Sequence, residues 1–247
     1  MSSTTVRRLL AKATEGFDLR MLTQNQTLQE DIRAALDQTG RWHKRSCPLR
    51  ADLMMSFALL MGLHRATSIE DLVSEVVDLL RDQGVRHPSK PITPEAVIKA
   101  RGRLGDEPVQ VLFERRAAAI DPTPSFHGLR PWIQDGVDFL IPDTEANEVA
   151  FGRPGASRGV AAFPQMQASA LLDVESRQLR RVVLGRCTDS ERHSCAELIS
   201  TLGPEDLVLT DRGLAGGPQF DLYLQAGVRV RRITGVFRAW VSGPAGA

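Results

Sequence analysis

The sequence has few cysteines and aromatic residues, and almost no net charge. Among its 247 residues there are 3 cysteines, 5% aromatic residues and a formal net charge of +1. Cys47, Cys187 and Cys195 form no CxxC pair, so neither a zinc site nor a disulfide framework is expected. Reduced thiols of this kind predict a cytoplasmic protein. The charge excludes a chain that is basic overall, so any nucleic-acid surface must come from an uneven distribution of charge.

The sequence also lacks long hydrophobic runs and several common catalytic motifs. Its most apolar stretch, Leu53–Leu63, is about half the ~20 residues that a membrane span needs. This stretch predicts a helix in the centre of a helical bundle. The first residues show no apolar core of a signal peptide. P-loop, GxGxxG and GxSxG patterns are absent, and the histidines have no ligand spacing.

Residues 1–120 are predicted to form an all-helical domain. Apolar residues recur at helical spacing between Leu28 and Leu36, and Gly40 is the expected end of that helix. Ser68 is typical of a residue that caps the start of a helix. Thr93-Pro94 predicts a further helix start, with Thr as the cap and Pro at the first helical position.

The pattern changes after a proline-containing linker at 121–133. Short apolar runs bounded by turn residues predict a mixed sheet with packed helices over 134–235, followed by an unstructured tail at 236–247. The expected strands are Val137–Ile141, Met166–Val174, Leu179–Leu184, Leu207–Thr210 and Val228–Ile233. The expected helices run from Asp189 to Leu202 and over Pro218–Gln225, and Glu148–Arg158 is an expected loop.

Two aspartates stand at positions that suit metal binding. Asp135, in WIQDGVDFL, is expected to open the first strand, and Asp211, in LVLTDRGL, follows a buried strand. Ligand sites in open sheets gather at strand ends, where converging carboxylates hold divalent cations for phosphoryl transfer. By residue type alone, an Asp before Gly is more typical of a turn than of a ligand. The longer sequence segments around the two aspartates therefore have to decide between a turn residue and a metal ligand.

Four blocks in order along residues 40–233 resemble the insertion element four family of DDE transposases. The blocks are Cys47–Leu63, Lys99–Ala117, Asp135–Asp173 and Leu207–Gly216. The resemblance implies an N-terminal helical domain followed by an incomplete ribonuclease H-like mixed-sheet domain. It also implies Mg²⁺, or Mn²⁺ in its place, as cofactor, and nicking and joining of DNA.

By matching motif, Asp135 and Asp211 are the first two members of that family's acidic triad. The sequence departs from the family at Val137, where threonine is usual. It departs more seriously in having no Glu after Asp211, since Glu205 is the last one and Asp221 the only later acid. These departures leave two hypotheses open. One is a transposase truncated at its C-terminus, and the other is an inactive relic that binds DNA or a partner.

Basic residues are the candidates for DNA contact. Arg153 and Arg158 follow the first expected catalytic strand, Arg212 is next to Asp211, and Arg101 and Arg103 lie in the helical domain. Such side chains could contact phosphate at double-stranded element ends, or be solvated or paired with carboxylates. A homodimer or a complex with a full-length transposase is a further expected partner.

Overall fold

The computed structural model describes most of the chain as two compact units. The described residues are 17–43, 47–64, 67–85, 92–156, 159–189, 191–211 and 217–232. Contacts divide the chain into a first unit, residues 1–116, and a second unit, residues 117–247. No helix in these described ranges is long and apolar enough to cross a membrane.

The described part of the first unit is helical. Its helices are α1 (Leu19–Gln24), α2 (Gln26–Thr39), α3 (Ala51–Leu63), α4 (Ile69–Asp82), α5 (Pro94–Leu104) and α6 (Glu107–Ala118), the last of which crosses into the second unit. Helix α3 is buried from Ala51 to Phe57 and again at Leu60, with Met54, Phe57 and Leu60 fully enclosed. The prediction of a central apolar helix is confirmed.

Local capping chemistry explains where these helices begin and end. Ser68 Oγ accepts a hydrogen bond from the backbone N–H of Asp71, and the Thr93 side chain accepts one from that of Ala96. Each bond satisfies an N–H group that has no partner inside the helix. Gly40 ends α2 with φ 62°, a left-handed conformation that favours glycine. These three predictions are confirmed.

The second unit contains a five-stranded mixed sheet with helices. The elements are β1 (Arg130–Leu140), α7 (Glu145–Phe151), β2 (Gly155–Ala156), β3 (Gly159–Val160), β4 (Gln165–Asp173), β5 (Leu179–Arg186), α8 (Glu191–Ile199), β6 (Asp206–Thr210), α9 (Gly217–Gln225) and β7 (Arg229–Arg232). The sheet order is β5-β4-β1-β6-β7, with β2 and β3 forming a separate pair. Strands β5, β4 and β1 are antiparallel, whereas β1, β6 and β7 are parallel. The predicted helical part followed by a mixed sheet is confirmed.

Three predicted boundaries in this unit are wrong. Strand β1 begins at Arg130 rather than Val137, because its first residues pair with β6, so Asp135 lies inside the strand. Part of the expected loop Glu148–Arg158 is helix α7, which Thr144 caps by accepting from the N–H of Asn147. Helix α8 ends at Ile199, short of Leu202.

The two faces of the sheet differ in what they contact. Trp132, Leu171 and Val208 pack with Leu198 of α8 and Tyr223 of α9 in one buried cluster. Because side chains alternate along a strand, the residues that directly precede and follow Trp132, Leu171 and Val208 point to the opposite face of the sheet. We call this opposite side the second face, defined on β1, β6 and β7 by six residues. They are Ile133, Asp135, Leu207, Leu209, Arg229 and Arg231.

Candidate active site

The pairing of β1 with β6 brings the two predicted aspartates to equivalent positions. The last matched residues of this parallel pair are Gln134 and Thr210. Asp135 directly follows Gln134, and Asp211 directly follows Thr210. Both aspartates are exposed. Adjacent strands lie roughly 4.8 Å apart, and matched residues of neighbouring strands point to the same face. The structure therefore places the backbone of both aspartates side by side at one point of the sheet.

The Asp135 carboxylate has a defined local contact. Its Oδ1 accepts a hydrogen bond of 2.8 Å from the backbone N–H of Gly136. This bond uses one lone pair and leaves the rest of the carboxylate directed to solvent on the second face. Carboxylate oxygens in such a position are the ligands that Mg²⁺ prefers.

A buried polar network lies directly behind these aspartates. Gln134 and Thr210 are each 2% exposed, and Tyr223 of α9 is fully buried. The Tyr223 hydroxyl donates a hydrogen bond to Gln134 Oε1. Burial, and secondarily the neighbouring Cys195 thiol, raise the pKa of Tyr223 well above its usual range, so the phenol remains a donor. Helix α9 is thereby tied to the residue that precedes Asp135.

We expect Tyr223→Phe to lower the free energy of unfolding by about 1–2 kcal/mol, because Gln134 Oε1 would stay buried without a donor. Urea titration of the chain measures this change. In the Tyr223→Phe background, Gln134→Met should recover most of the loss, since removing both partners of a buried hydrogen bond is nearly neutral. Equal stability of Tyr223→Phe and wild type would contradict this role.

Asp206 fixes the register on which the aspartate pair depends. Its buried carboxylate accepts from Trp132 Nε1 at 2.9 Å, from Arg130 Nε at 2.8 Å and from the backbone N–H of Gly203 at 2.8 Å. These bonds join the start of β1 to the start of β6. Sequence reasoning missed both Asp206 and Tyr223. Two features of the sequence could have pointed to them: Asp206 is an acid directly before the predicted buried strand, and Tyr223 is the chain's single tyrosine.

Arg153 forms ion pairs with two acidic residues of the segment that follows β1. Its guanidinium contacts Asp143 at 2.5 Å and Glu148 at 3.0 Å, and its side chain is 16% exposed. Hydrogen bonding raises the pKa of Arg153 and lowers that of Glu148. DNA contact by Arg153 would have to compete with these two carboxylates. Arg158 and Arg212 lie outside the described residues.

The remaining predicted DNA contacts are in the first unit. Arg101 and Arg103 are exposed in the last turn of α5, and Arg101 Nη1 lies 3.5 Å from Met61 Sδ. Their contact with DNA remains a prediction. Four other arginines of the first unit form ion pairs with carboxylates: Arg41 with Glu107, Arg50 with Asp52, and Arg115 and Arg116 with Asp31.

Within the described ranges, no group of three or more His, Cys, Asp or Glu side chains could hold a metal ion. Asp135 and Asp211 therefore offer two carboxylates rather than a complete ligand set. Glu205 is not a third member, because it lies at the other end of β6 within 3.6 Å of Arg130. The arrangement can hold a cation from one side and leaves its remaining coordination positions to solvent or substrate.

Comparison with known proteins finds similarity to transposases. Residues 18–114 match the family model for the insertion element 4 transposase N-terminal region. The chain is 29% identical over 188 residues to the transposase InsG for insertion sequence element IS4 of Escherichia coli K12, covering 74% of this chain and 41% of that protein.

A second relative supports the same conclusion. The putative transposase InsZ of Escherichia coli K12 is 29% identical over 122 residues, covering 47% of this chain and 41% of that protein. The chain thus spans about two fifths of the length of each of these curated relatives. The helical match and the alignment with InsG, which extends beyond it, agree with each other. The chain is therefore similar to transposases of the insertion element 4 type, most directly in its helical part.

Proposed function

We propose that the chain carries two metal-binding aspartates of a DNA transposase, which nicks and joins phosphodiesters at the ends of an insertion element. The observation that carries the proposal is the register of β1 and β6. Because Gln134 of β1 pairs with Thr210, the last residue of β6, Asp135 and Asp211 are the next residues of these two neighbouring segments. Two carboxylates that belong to separate segments of the chain are thereby brought to one place.

The order of the strands supports a ribonuclease H-like arrangement for this unit. Three antiparallel strands come first in the chain, and two strands parallel to β1 are added on its other side. This order puts β1 in the centre, with Asp135 on it and Asp211 directly after the last residue of its parallel neighbour β6. Sites in open sheets gather at such strand ends, where a ligand can reach both side chains.

The residues present fit a divalent cation. Both aspartates are exposed and supply hard oxygen ligands, and the Gly136 N–H orients the Asp135 carboxylate. When bound, Mg²⁺ or Mn²⁺ would activate the attacking oxygen and stabilise the leaving oxygen of the phosphodiester. The protein residues would hold the carboxylates in place: Tyr223 through Gln134, and Asp206 through the register.

Double-stranded DNA at element ends is the proposed partner. Arg101 and Arg103 on α5 are exposed and suited to phosphate contact, and Arg153, Arg158 and Arg212 are proposed as further phosphate contacts. A second copy of the chain, or a full-length transposase, is the proposed protein partner. It would bring the second element end.

A nicking assay tests the proposal. The chain is incubated with a labelled duplex that carries the ends of its own insertion element, with Mg²⁺ and separately with excess chelator. We expect nicked product that depends on the metal. Absence of nicking with both Mg²⁺ and Mn²⁺ would overturn catalysis by this chain.

A specific observation favours a second candidate function. Among the described residues, no third His, Cys, Asp or Glu joins Asp135 and Asp211 in a group that could hold a metal ion. Loss of one ligand from a two-metal site removes charge stabilisation that is worth orders of magnitude in rate. The second candidate is therefore a catalytically inactive module that binds DNA or a partner. Binding of element ends without metal-dependent nicking is the result that would select it.

A further inference from the structure

Strand β7 carries two arginines on the same face as the proposed catalytic carboxylates. Arg229 pairs in register with Leu207 of β6, and Arg231 pairs with Leu209. Val230 between them packs against the buried cluster of α8 and α9, so the two arginines point to the second face. Both side chains are exposed. Because β7 is parallel to β6, Arg231 lies at the end of β7 that is nearer to Asp211.

Among the described residues, acidic side chains pair with two other arginines of the sheet but not with Arg229 or Arg231. Arg130 is paired with Asp206, and Arg181 with Glu197 of α8. Neither Arg229 nor Arg231 forms an ion pair with any residue that the structure describes. They therefore present uncompensated positive charge, although the net charge of the whole chain is only +1. An unevenly distributed charge of this kind is what a neutral chain needs in order to attract a polyanion.

The position of this charge suits the backbone of DNA. A phosphodiester that approaches Asp135 and Asp211 meets two negative side chains and is repelled by them unless positive charge lies close by. Two arginines that alternate with an inward-facing residue stand roughly 6.5–7 Å apart along a strand. At that spacing they can contact separate phosphates along one strand of DNA. The guanidinium group also matches phosphate oxygens in two parallel hydrogen bonds.

We propose that Arg229 and Arg231 form a phosphate-binding strip that holds the DNA backbone beside the aspartate pair. This inference rests on the proposed function, since it takes DNA as the ligand of the second face. It assigns a binding role to β7, the outermost strand of the described sheet on the β6 side. The ligand is the sugar–phosphate backbone, so the strip carries no sequence preference of its own.

The alternative role for these arginines is protection of an edge strand. Charged side chains on edge strands prevent pairing with another sheet. The two roles differ in one measurable quantity, the salt dependence of DNA binding. Each phosphate contact releases counterions and contributes about −0.9 to the slope of log K against log salt concentration. A protective charge contributes nothing to that slope.

Fluorescence anisotropy with the full 247-residue chain and a labelled duplex of ~30 base pairs measures the slope. Chelator is added so that binding is separated from cleavage. We expect Arg229→Gln/Arg231→Gln to reduce the magnitude of the slope by about 2 and to weaken binding at least ~10-fold at low salt. Arg229→Lys/Arg231→Lys should keep the slope, because lysine also neutralises phosphate.

Arg177→Gln is the matched control. Arg177 is exposed, unpaired among the described residues, and located in the turn between β4 and β5, at the end of the sheet where β1 starts. Its replacement should leave the slope unchanged. Circular dichroism verifies the fold of each variant. If the double glutamine variant does not fold, Arg231→Gln alone should reduce the slope by about 1.

The outcomes separate this inference from the proposed function. An unchanged slope in the double variant overturns the phosphate strip, and nicking by the wild type would then still support the transposase proposal. A reduced slope without any nicking supports the strip and overturns catalysis by this chain. A wild type that shows no salt-dependent binding overturns the strip as well, because there would be no phosphate contact to assign.

Discussion

Replacing Asp135 by Asn is expected to lower magnesium-dependent nicking by about 1000-fold while the fold stays intact. Asparagine keeps the shape of the side chain and one oxygen that can accept from the Gly136 N–H. It removes the negative charge, and a neutral amide is a poor ligand for a hard divalent cation. The loss of charge stabilisation at the reacting phosphate explains the expected magnitude. Asp211→Asn should reduce the rate to a similar extent, because both carboxylates are proposed to serve the same cation.

Asp138→Asn is the matched control for this experiment. Asp138 is exposed on the same strand as Asp135, but an odd number of residues away, so it points to the opposite face of the sheet. Each of the two substitutions should change stability by no more than about 0.5 kcal/mol, as is usual for exposed positions. Nicking rates and Mg²⁺ titration by calorimetry are the measurements. Equal losses in Asp135→Asn and Asp138→Asn would show that the assigned site is wrong.

Replacing Asp206 by Ala is expected to destabilise the second unit by roughly 3 kcal/mol, because several buried donors lose their acceptor at once. Trp132 Nε1 and the Gly203 N–H would remain without the partner that the structure gives them, and Arg130 would keep only the more distant Glu205. The midpoint of urea unfolding measures the loss. Hydrogen exchange of peptides from β1 and β6 assigns it to this part of the sheet.

Glu205→Ala is the control for Asp206→Ala, because both acids contact Arg130. Glu205 is 76% exposed and lies 3.6 Å from the guanidinium, which makes it a surface ion pair worth about 0–1 kcal/mol. A much smaller effect is therefore expected from its removal. If the two substitutions cost the same, the buried network around Asp206 does not maintain the register, and the account of how Asp135 comes to lie beside Asp211 fails.

Local signals in the sequence were sufficient for much of the first unit. Ser68, Thr93 and Gly40 act within one turn of their own helix, so their effect can be read from the adjacent residues. The apolar stretch that became α3 was also predictable, because a helix that is hydrophobic on all sides has to be buried. Helix α7 was missed although Thr144 is an ordinary cap, since the glycines and prolines around it are typical of a loop.

The start of β1 could not be predicted in the same way. Arg130 and Pro131 are unusual residues in a central strand, and they belong to it because Asp206 accepts from Arg130 and Trp132. Those partners are more than 70 residues apart in the sequence, as the separation of 74 between Trp132 and Asp206 shows. No local pattern records such a contact.

The sequence by itself determined the helix caps, the central apolar helix and the resemblance from which Asp135 and Asp211 are predicted to act as a pair. Each of these features depends on residues that lie close together in the sequence. Only the tertiary structure decided that β6 lies beside β1, that Tyr223 stands behind the aspartates, and that Arg229 and Arg231 share their face. The physical reason is that strand pairing joins distant segments, and a shift of one residue in register would turn every side chain to the other face.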